Sequence, residues 1–395
     1  MRKKTVEDVE VDGKRVLVRA DLNEPLDENG NLADDVRIRA SIPTIKYLIE
    51  RGARVVVASH LGRPSGKPVP GLRLDPVAER LSELMGRKVP KLDDCVGEEV
   101  EARVAELAPG DVVLLENTRF HPGETENDPE FAKALARLGD VFVNDAFGAV
   151  HRNHASTAGV ARYLPAVAGL LLRKELEVLE KALREPKRPL LAIIGGAKVS
   201  DKIGILESLL DKVDTMIIGG GMANTFFLAR GLNVGKSLVE PNKAEMARNL
   251  MKKYESNGVK LLLPTDVVVA ERFSAAARNK VVPVEKIPDG WTVMDIGPQS
   301  RRDFREVINR AQTILWNGPM GVFEMEPFAE GTMTMAQYLA ESGASVVVGG
   351  GESAAAVRRA GYAHRMMHIS TGGGASLRFL EGKELPGVSC LLDKE

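Results

Sequence analysis

The sequence predicts an α/β fold of the doubly wound kind, in which helices cover both faces of mostly parallel sheets. Three observations favour this fold. Short runs rich in Val, Ile and Leu recur along the 395 residues, and they lack the polar alternation of strands with one solvated face. Stretches with apolar residues three and four positions apart separate these runs, which indicates helices. Glycine or charged residues follow most of the runs, at the strand ends where open α/β sheets bind ligands.

The apolar runs define the predicted strands. Those of the first half are Arg15–Arg19, Arg54–Ala58, Val112–Leu115 and Val141–Val143. Those of the second half are Leu190–Ile194, Thr215–Ile218, Leu261–Leu263, Thr313–Trp316, Ser345–Val348 and His368–Ser370. Helices predicted between them include Ile42–Arg51, Pro76–Met85 and Glu130–Leu138. This order of strand and helix is typical of parallel sheets with crossover helices.

A long helix followed by a proline-rich joint divides the two halves. Leu170–Leu183 has the spacing of one amphipathic helix, and Pro186 and Pro189 follow it closely, which stops a helix and favours an extended chain. We therefore predict a first domain over residues 1–169, a linker over 170–189 and a second domain from residue 190. One large sheet with an internal crossover helix is the alternative.

Composition limits the classes of function. Lys and Arg number 54 against 55 Asp and Glu, a formal net charge of −1, whereas binding to nucleic acid or to a membrane surface usually needs a basic excess. The N-terminus has no apolar segment of the signal-peptide kind, and no run approaches the roughly 18 apolar residues of a membrane span. Cys95 and Cys390 show no metal or redox spacing. We expect a soluble cytoplasmic protein without nucleic-acid or membrane partners.

The strand ends of the first half carry cationic and hydrogen-bonding side chains. Arg or His follows three of the strands and lies near the fourth, and each Arg taken alone would be an ordinary solvated loop residue. Arg presents a planar fork of donors that matches carboxylate and phosphate oxygens, so its recurrence along one sheet edge predicts a pocket for a small polyanion. The loops that carry these residues are Arg19–Asn23, Ser59–Pro64, Glu116–His121 and Asn144–Phe147, with His151–His154 soon after the last.

The histidines give only weak evidence for a metal site. His151 and His154 lack the His-Glu-x-x-His pattern, and no cysteine is near them in sequence to complete a zinc set. We expect one of this pair to serve the anion, and we expect His121, His364 and His368 to be structural or exposed. A histidine-bound metal is not expected.

The strand ends of the second half carry glycine instead. Glycine lets the backbone approach a ligand closely, and at a strand-to-helix turn it offers N–H groups and a helix N-terminus to phosphate. One such loop could be a tight turn without a ligand, but five of them predict a nucleotide pocket. The loops are Gly195–Gly196, Gly219–Gly221, Gly318–Gly321, Gly349–Gly351 and Gly372–Gly374.

Two familiar nucleotide motifs fit these loops poorly. Gly235, Lys236 and Ser237 resemble the end of a phosphate-binding loop, but Arg230 stands where that motif needs glycine. Residues 349–354 match G-x-G-x-x-[GA], although residues 368–376 lack the acidic partner expected about 20 positions later. A nicotinamide-dependent dehydrogenase is thus the second hypothesis, and a nucleotide- or anion-binding module without catalysis is the third. Phosphoryl transfer is the first, because it depends on positioning and charge neutralisation.

The loops also resemble a known family. Residues 19–25, 59–64, 116–120 and 151–154 in the first half, and 195–202, 316–319 with Glu324, and 370–376 in the second, are similar to the signatures of phosphoglycerate kinase. The resemblance runs in order over essentially the whole chain. It implies two Rossmann-like domains facing each other across a cleft and closing about the linker. It also implies a nucleotide domain over residues 190–376, a tail over 377–395 that returns to the first domain, and a monomer.

The implied reaction is reversible phosphoryl transfer from 1,3-bisphosphoglycerate to ADP, giving 3-phosphoglycerate and MgATP. The implied 3-phosphoglycerate ligands are Asp21, Asn23, Arg37, His60, Arg63, Arg119 and Arg152. The implied nucleotide ligands are Gly196, Lys198, Lys202, Gly220, Asn317, Glu324, Gly351, Glu352 and Ser353. The groups implied at the reacting phosphoryl are Arg37, Lys198, Gly373 and Gly374. The attacking carboxylate is already ionised at neutral pH, so no general base is required.

Four positions depart from the family pattern. Glu352, the implied Mg²⁺ ligand, stands where Asp is usual. Its extra methylene moves the carboxylate by about 1.5 Å, and Mg²⁺ tolerates little distortion. Leu22 and Glu24 replace an aromatic residue and Val, and Asn153 replaces a small residue. We expect lowered but measurable activity, or a compensating shift of the backbone.

Overall fold

The computed structural model describes residues 2–394, which form two compact units. One unit contains the residues up to Glu177 and those from Glu384 onward, and the other is Val178–Lys383. The first division falls inside the helix predicted as the linker. The predicted boundaries after residues 169 and 376 lie eight and seven residues before the divisions of the structure, which follow Glu177 and Lys383.

The first unit is built on a five-stranded parallel sheet. Its strands are β1 (Arg15–Arg19), β2 (Arg54–Ala58), β3 (Val112–Leu114), β4 (Val141–Asn144) and β5 (Ala166–Ala168). They lie in the order β3-β2-β1-β4-β5. The sequence analysis did not predict strand β5, because it has only three residues and two of them are Ala, which has a low β propensity.

The second unit contains two sheets. Its strands are β6 (Leu190–Ile194), β7 (Thr215–Ile218), β8 (Lys260–Leu262), β9 (Asp266–Ala270), β10 (Asn279–Pro283), β11 (Thr292–Ile296), β12 (Thr313–Asn317), β13 (Ser345–Gly349) and β14 (His368–Ile369). The parallel sheet has the order β14-β13-β12-β6-β7-β8, and an antiparallel sheet has the order β10-β9-β11. The α/β fold with mostly parallel sheets is confirmed, and the antiparallel sheet is an addition that the sequence analysis missed.

Helices connect these strands. They are α1 (Val36–Glu50), α2 (Asp75–Met85), α3 (Glu98–Ala105), α4 (Pro122–Glu126), α5 (Pro129–Ala136), α6 (Leu170–Arg184), α7 (Ile203–Leu209), α8 (Ala223–Ala229), α9 (Ala244–Ser256), α10 (Pro298–Ile308), α11 (Glu330–Glu341), α12 (Gly351–Arg359), α13 (Gly373–Leu380) and α14 (Pro386–Ser389). Proline in the first turn of α2, α5 and α10 costs no hydrogen bond, because the first N–H groups of a helix have no partner inside it. Within residues 2–394, no helix is long and apolar enough to cross a membrane.

Each parallel sheet is the centre of a hydrophobic core. In the first unit, Val16 and Val18 of β1 share one cluster of buried residues with Ile45 and Leu48 of α1. In the second, Trp316 of β12 packs in one cluster with helices α10 and α11. The residues from Glu384 onward pack in the first unit, where the Gly387 carbonyl accepts a hydrogen bond of 3.0 Å from Asn144 Nδ2.

Candidate active site

The carboxyl ends of β1 to β4 lie at one edge of the first sheet, since the strands are parallel and in register. The loops that leave this edge carry the cationic side chains singled out in the sequence. Arg19, the last residue of β1, is fully buried, and its guanidinium contacts His60 Nδ1 at 2.8 Å and Ser156 Oγ at 2.8 Å. The buried guanidinium of Arg19 therefore lies at the bottom of this site.

A group of positive or protonatable side chains surrounds His60. Burial, together with Arg19, Arg119, Arg152 and His154, holds the pKa of His60 well below its ordinary value. Burial and the same arginines lower the pKa of His154 to about 4, and burial with Arg19 and Arg152 lowers the pKa of Arg119 to about 10. Burial is the largest cause of all three shifts, and the neighbouring cations add to it, so the site holds several cationic groups close together away from water.

One buried carboxylate offsets part of that charge. Glu124 lies 3.9 Å from His154 Nδ1 and accepts hydrogen bonds from Ser156, 2.9 Å from its N–H and 2.6 Å from its hydroxyl. Sequence reasoning missed Glu124. It also did not predict that Arg19 lies buried beneath the site. A sequence signal for Arg19 was available, because it ends a buried strand, whereas Glu124 lies in the short helix α4 with no distinctive pattern around it.

Asp21, Asn23 and Arg37 form the other side of this site. Arg37 Nη1 donates to the Asn23 carbonyl at 2.9 Å, and Arg37 Nε lies 4.0 Å from Asp21 Oδ2. The Asn23 side chain accepts from the Gly62 N–H at 2.7 Å, which ties the loop after β1 to the loop after β2. Within residues 2–394, the buried Nε atoms of Arg37 and Arg119 have no hydrogen-bond partner. Buried donors of this kind are the groups that an anionic ligand satisfies.

Glu24 adds a contact that the sequence analysis did not anticipate. Its carboxylate is buried and accepts from the N–H groups of Arg37 and Ile38 at 2.6 and 3.0 Å, at the start of α1. It also lies 3.4 Å from Arg37 Nη1. Burial raises the pKa of Glu24, in spite of these partners. Glu24 therefore both caps α1 and competes for the guanidinium of Arg37.

The other first-half residues are less enclosed. Arg63 is exposed on the loop after β2, and Arg152 is partly buried. The structure thus brings Asp21, Asn23, Arg37, His60, Arg119 and Arg152 to one sheet edge, through the contacts and charges described above. For Arg63, it shows a position on the adjoining loop but no contact with the group.

The second unit gathers glycine at the carboxyl ends of β6, β7, β12 and β13. The loops pack so closely that added side chains would collide. A Cβ at Gly195 would lie 2.1 Å from the Pro319 carbonyl oxygen, and one at Gly220, whose φ is +68°, would lie 2.7 Å from the Gly196 carbonyl oxygen. The glycines are required by the packing of these turns as well as by any ligand.

A cavity of about 450 Å³ opens against these loops. Its lining includes Gly196, Gly220, Gly221, Lys236, Leu238, Phe273, Asp295, Pro319, Glu324 and Glu352. Phe273 and Leu238 are exposed there, 66% and 49%, and they offer apolar surface beside the glycine turns. Such a mixture of apolar surface, polar backbone and carboxylates suits a nucleotide better than a simple anion.

Sequence reasoning missed part of this lining. Phe273 lies on the connection between β9 and β10, and Asp295 lies on β11, so both come from the unpredicted antiparallel sheet. The Val-rich run at 267–269 was the available signal. Lys236 was noticed only as part of a failed motif, and the fold brings it to the cavity.

Lys202 and Asn317 form a polar pair beside the glycine loops. Lys202 Nζ donates to Asn317 Oδ1. Burial lowers the pKa of Lys202, and Glu352 opposes the shift. Asn317 is buried, and its Nδ2 has no hydrogen-bond partner among the described residues. An amine and an amide donor are therefore available to phosphate oxygens.

Two helices begin at glycine beside these loops. Glu352 is exposed in the first turn of α12, where the helix dipole favours a negative charge. Ser353 is fully buried, and its hydroxyl accepts from the Gly318 N–H at 2.6 Å, so it already has a structural partner. Helix α13 begins at Gly373, with Gly374 exposed in its first turn. Their N–H groups are among those that lack partners inside a helix.

Lys198 and Glu324 are both exposed. Lys198 follows β6. Burial opposes the lowering of the pKa of Glu240, hydrogen bonds from Ser200 and Val199 cause most of it, and the charge of Lys198 makes the smallest contribution. Glu324 lines the cavity, whereas Lys198 does not belong to its lining. The structure therefore brings Gly196, Gly220, Glu324 and Glu352 to one cavity. The other predicted nucleotide ligands, Lys198, Lys202, Asn317, Gly351 and Ser353, are not part of its lining.

Comparisons with known proteins agree over nearly the whole chain. A family model described as phosphoglycerate kinase matches residues 6–383. The chain is 59% identical over 394 residues to a phosphoglycerate kinase of Pelotomaculum thermopropionicum and to one of Moorella thermoacetica, with the whole of each chain covered. Among solved structures, phosphoglycerate kinases from Coxiella burnetii and Pyrococcus horikoshii OT3 share 44% and 34% identity, with TM-scores of 0.88 and 0.86 over 98% of each chain.

Proposed function

Because this chain belongs to the phosphoglycerate kinase family, we propose that the basic edge of its first unit binds 3-phosphoglycerate and that the glycine loops of its second unit bind the nucleotide. The enzyme transfers a phosphoryl group reversibly between 1,3-bisphosphoglycerate and ADP, giving 3-phosphoglycerate and ATP, a step of glycolysis. The family uses Mg²⁺ with the nucleotide.

The uncompensated positive charge of the first unit carries the proposal for 3-phosphoglycerate. His60 and Arg119 have lowered pKa values because burial and neighbouring cations disfavour their charged forms. A phosphate and a carboxylate would neutralise this cluster and satisfy the free Nε atoms of Arg37 and Arg119. Asp21 and Asn23 hold Arg37 in place, and Arg63 would reach the ligand from the adjoining loop.

The second unit would bind phosphate mainly through backbone. Gly196 and Gly220 leave the turns open to the nucleotide, and Lys202 and Asn317 supply two polar donors. Gly351, Gly373 and Gly374 lie at helix starts that favour anions. Lys198 would follow the transferred phosphoryl group and Glu324 would meet the ribose. Ser353 would act indirectly, by holding Gly318.

The residues near Glu352 fit a magnesium ion. Its carboxylate is exposed in the cavity lining, and Mg²⁺ prefers one or two carboxylates together with phosphate oxygens and water. Glu352 would hold the ion, which neutralises charge on the nucleotide phosphates when bound. Arg37, Lys198 and the N–H groups of Gly373 and Gly374 would stabilise the negative charge on the transferred group.

An assay of ATP formation from 1,3-bisphosphoglycerate and ADP, with and without Mg²⁺, tests the function. We expect turnover that depends on Mg²⁺ and falls at least tenfold in Lys202→Met, because one phosphate donor is lost. Lys252→Met, on an exposed face of α9, is the matched control and should keep full activity. ADP binding without turnover would indicate a binding module, and NADH binding without ATP formation would indicate a dehydrogenase.

The departure at Glu352 has its own test. We expect Glu352→Asp to raise kcat and to lower the Mg²⁺ concentration needed for half-maximal rate, since the shorter side chain restores the usual carboxylate position. Titration of Mg²⁺ against initial rate measures both. Unchanged values in Glu352→Asp would show that the backbone or a bridging water already compensates for the extra methylene.

We also propose that the enzyme acts as a cytoplasmic monomer without nucleic-acid or membrane partners. The balanced charge of the whole chain supports this proposal. Light scattering coupled to size-exclusion chromatography should give a mass near 42.8 kDa. A mass near twice that value would contradict the monomer.

A further inference from the structure

Asp94, Cys95 and His121 form a compact group of three metal-ligand types in the first unit. One ligand atom from each residue lies within 4.8 Å of the other two. Asp94 and Cys95 precede α3, whereas His121 ends a short 3-10 turn at Thr118–Phe120. The sequence shows no sign of this group, because Cys95 and His121 are 26 residues apart and only the fold brings them together.

We propose that Asp94, Cys95 and His121 bind a zinc-like divalent cation. Thiolate and imidazole are ligands that zinc prefers, and three protein ligands leave a fourth position for water. Mg²⁺ takes oxygen ligands at rigid octahedral geometry, so this set would discriminate against it. The proposal does not depend on the functions assigned to the two substrate sites.

Hydrogen bonding and ring stacking hold two of the three side chains, Asp94 and His121, close together. His121 Nε2 lies 2.6 Å from Asp94 Oδ1, and the His121 ring stacks on Phe131 with centroids 5.1 Å apart. The Cys95 N–H donates to Asp94 Oδ1 at 2.6 Å. Tetrahedral zinc with bonds of about 2.0–2.3 Å separates its ligand atoms by roughly 3.3–3.6 Å. The Asp94 and His121 side chains would need to part by less than about 1 Å.

Access and charge also suit a cation. The side chains of Asp94 and His121 are 51% and 32% exposed, so an ion can enter from solvent, while the Cys95 thiol is buried at the inner end. Burial and the carboxylates of Asp94 and Glu124 raise the pKa of Cys95 well above its usual range. Without a metal, this thiol is therefore a poor nucleophile and is not poised for oxidation.

Metal binding would change the protonation of two groups. The Cys95 thiol would lose its proton to solvent as sulfur bonds to the ion, because a coordinating thiol is deprotonated outright. Neutral His121 would carry its ring proton on Nδ1 and present the Nε2 lone pair. Asp94 would contribute a carboxylate oxygen. One proton is released for each ion bound, so affinity should rise with pH.

Cobalt substitution provides the test. The full-length protein, freed of metal and kept in excess Mg²⁺ to occupy carboxylate-only sites, is titrated with Co²⁺. We expect one equivalent to produce a sulfur-to-cobalt charge-transfer band and the strong visible bands of tetrahedral Co²⁺, both displaced by Zn²⁺. Calorimetry of Zn²⁺ binding in two buffers of different ionisation enthalpy should show about one proton released per ion.

Variants assign the ligands. Cys95→Ser should lose the charge-transfer band, and Asp94→Asn and His121→Gln should weaken Zn²⁺ binding at least tenfold. Cys390→Ser is the matched control and should keep the band. Because Cys95 is buried and Cys95→Ser could fail to fold, the two more exposed positions carry the test independently. Absence of a sulfur band, its loss in Cys390→Ser, or unchanged affinity in Asp94→Asn and His121→Gln would each overturn the proposal.

Discussion

The two units handle anions by opposite means. The first unit uses ionisable side chains removed from water: the guanidinium groups of Arg19, fully buried, and Arg119, 7% exposed, with the imidazole of His60, 4% exposed, beside them. The second unit uses glycine turns in which the backbone itself approaches the site, and the charged side chains around the cavity, such as Lys236, Glu324 and Glu352, are of both signs. Buried cations repel one another unless an anion is bound, whereas the glycine turns pack so closely that they leave no room for a side chain. The first site should therefore respond most to substitutions that change its charge, and the second to substitutions that add side-chain atoms.

Adding one methyl group to the glycine turns should have the largest effect. In Gly220→Ala, the new Cβ would lie within 3 Å of the carbonyl oxygens of Gly196 and Pro319, at a φ of +68°. Overpacking and the left-handed backbone together should cost about 2–4 kcal/mol of unfolding free energy. Urea unfolding measures this loss, and ADP titration should show greatly weakened binding.

Gly231→Ala is the matched control for the backbone conformation. Gly231 has a φ of +81°, but a Cβ there would meet nothing within 4 Å. We expect it to lose only about 1 kcal/mol and to bind ADP normally. Equal losses in Gly220→Ala and Gly231→Ala would show that conformation, and not close approach, explains the glycines of these loops.

Removing one charge from the first site should have a smaller effect, divided between binding and stability. Arg152→Met should lower kcat/KM for 3-phosphoglycerate by about 10- to 100-fold, as expected for a lost charge-assisted hydrogen bond. Its thermal midpoint without ligand should be unchanged or higher, because one source of repulsion on Arg119 is gone.

Arg162→Met, at an exposed arginine of the same unit, is the control for Arg152→Met and should change neither quantity. A stability loss in Arg152→Met with unchanged kcat/KM would reverse the comparison, since Arg152 would then be structural. Thermal unfolding and steady-state kinetics on the same preparations separate these outcomes.

The pH dependence of stability is the next effect in size. The pKa of His154 is about 4 in the folded protein, against about 6.5 in an unfolded chain. Between these values the unfolded chain binds the proton more readily, so this contribution to stability is present above about pH 6.5 and is lost as the pH falls towards 4. His154→Gln should flatten this part of the curve, as measured by urea midpoints at pH 7 and pH 5.

His364→Gln, at an exposed histidine of the second unit, should leave the same curve unchanged. Addition of 3-phosphoglycerate should raise the pKa of His154, because an anion favours the charged ring. Histidine NMR titrations with and without the ligand would record that shift. A pKa of His154 that stays the same on ligand addition would argue against its nearness to the bound anion.

The sequence predicted the parallel strands well and the contacts between distant loops poorly. Continuous apolar runs such as Leu190–Ile194 identify buried strands directly. Helix α1 begins at Val36, six residues before the predicted start, because its charged first turn and Pro43 weaken the amphipathic pattern. The antiparallel strand β10 was missed because most of its residues are exposed. The short-range apolar pattern is thus enough to predict buried strands, but not exposed strands or the start of a helix.

The candidate site shows the same division. Residues such as His60 and Gly196 follow buried strands, so the parallel topology places them at the sheet edge. Glu124 and the group of Asp94, Cys95 and His121 depend on side chains from separate loops, for which chain order gives no signal. The resemblance could transfer known positions, but it could not assign a partner to Glu24, a departure from the family pattern.

Glu24 provides the smallest and most local test of how the first unit balances charge. The first residues of α1 lack a side-chain cap from Asp35, and Glu24 accepts from two of their N–H groups instead. Glu24→Gln keeps an oxygen acceptor for these groups but removes the negative charge beside Arg37. We expect kcat/KM for 3-phosphoglycerate to rise about two- to fivefold, since Arg37 gains freedom to bind the ligand and a like charge is removed.

Glu24→Val separates capping from charge. It should lose about 1 kcal/mol of unfolding free energy through the missing cap, whereas Glu24→Gln should lose little. Glu83→Gln, which removes an exposed carboxylate on α2, should affect neither stability nor kcat/KM. If Glu24→Gln lowered kcat/KM, the carboxylate would be orienting Arg37 for the ligand. The first unit would then depend on a buried anion to aim its cations, and the contrast with the glycine turns would be one of orientation more than of net charge.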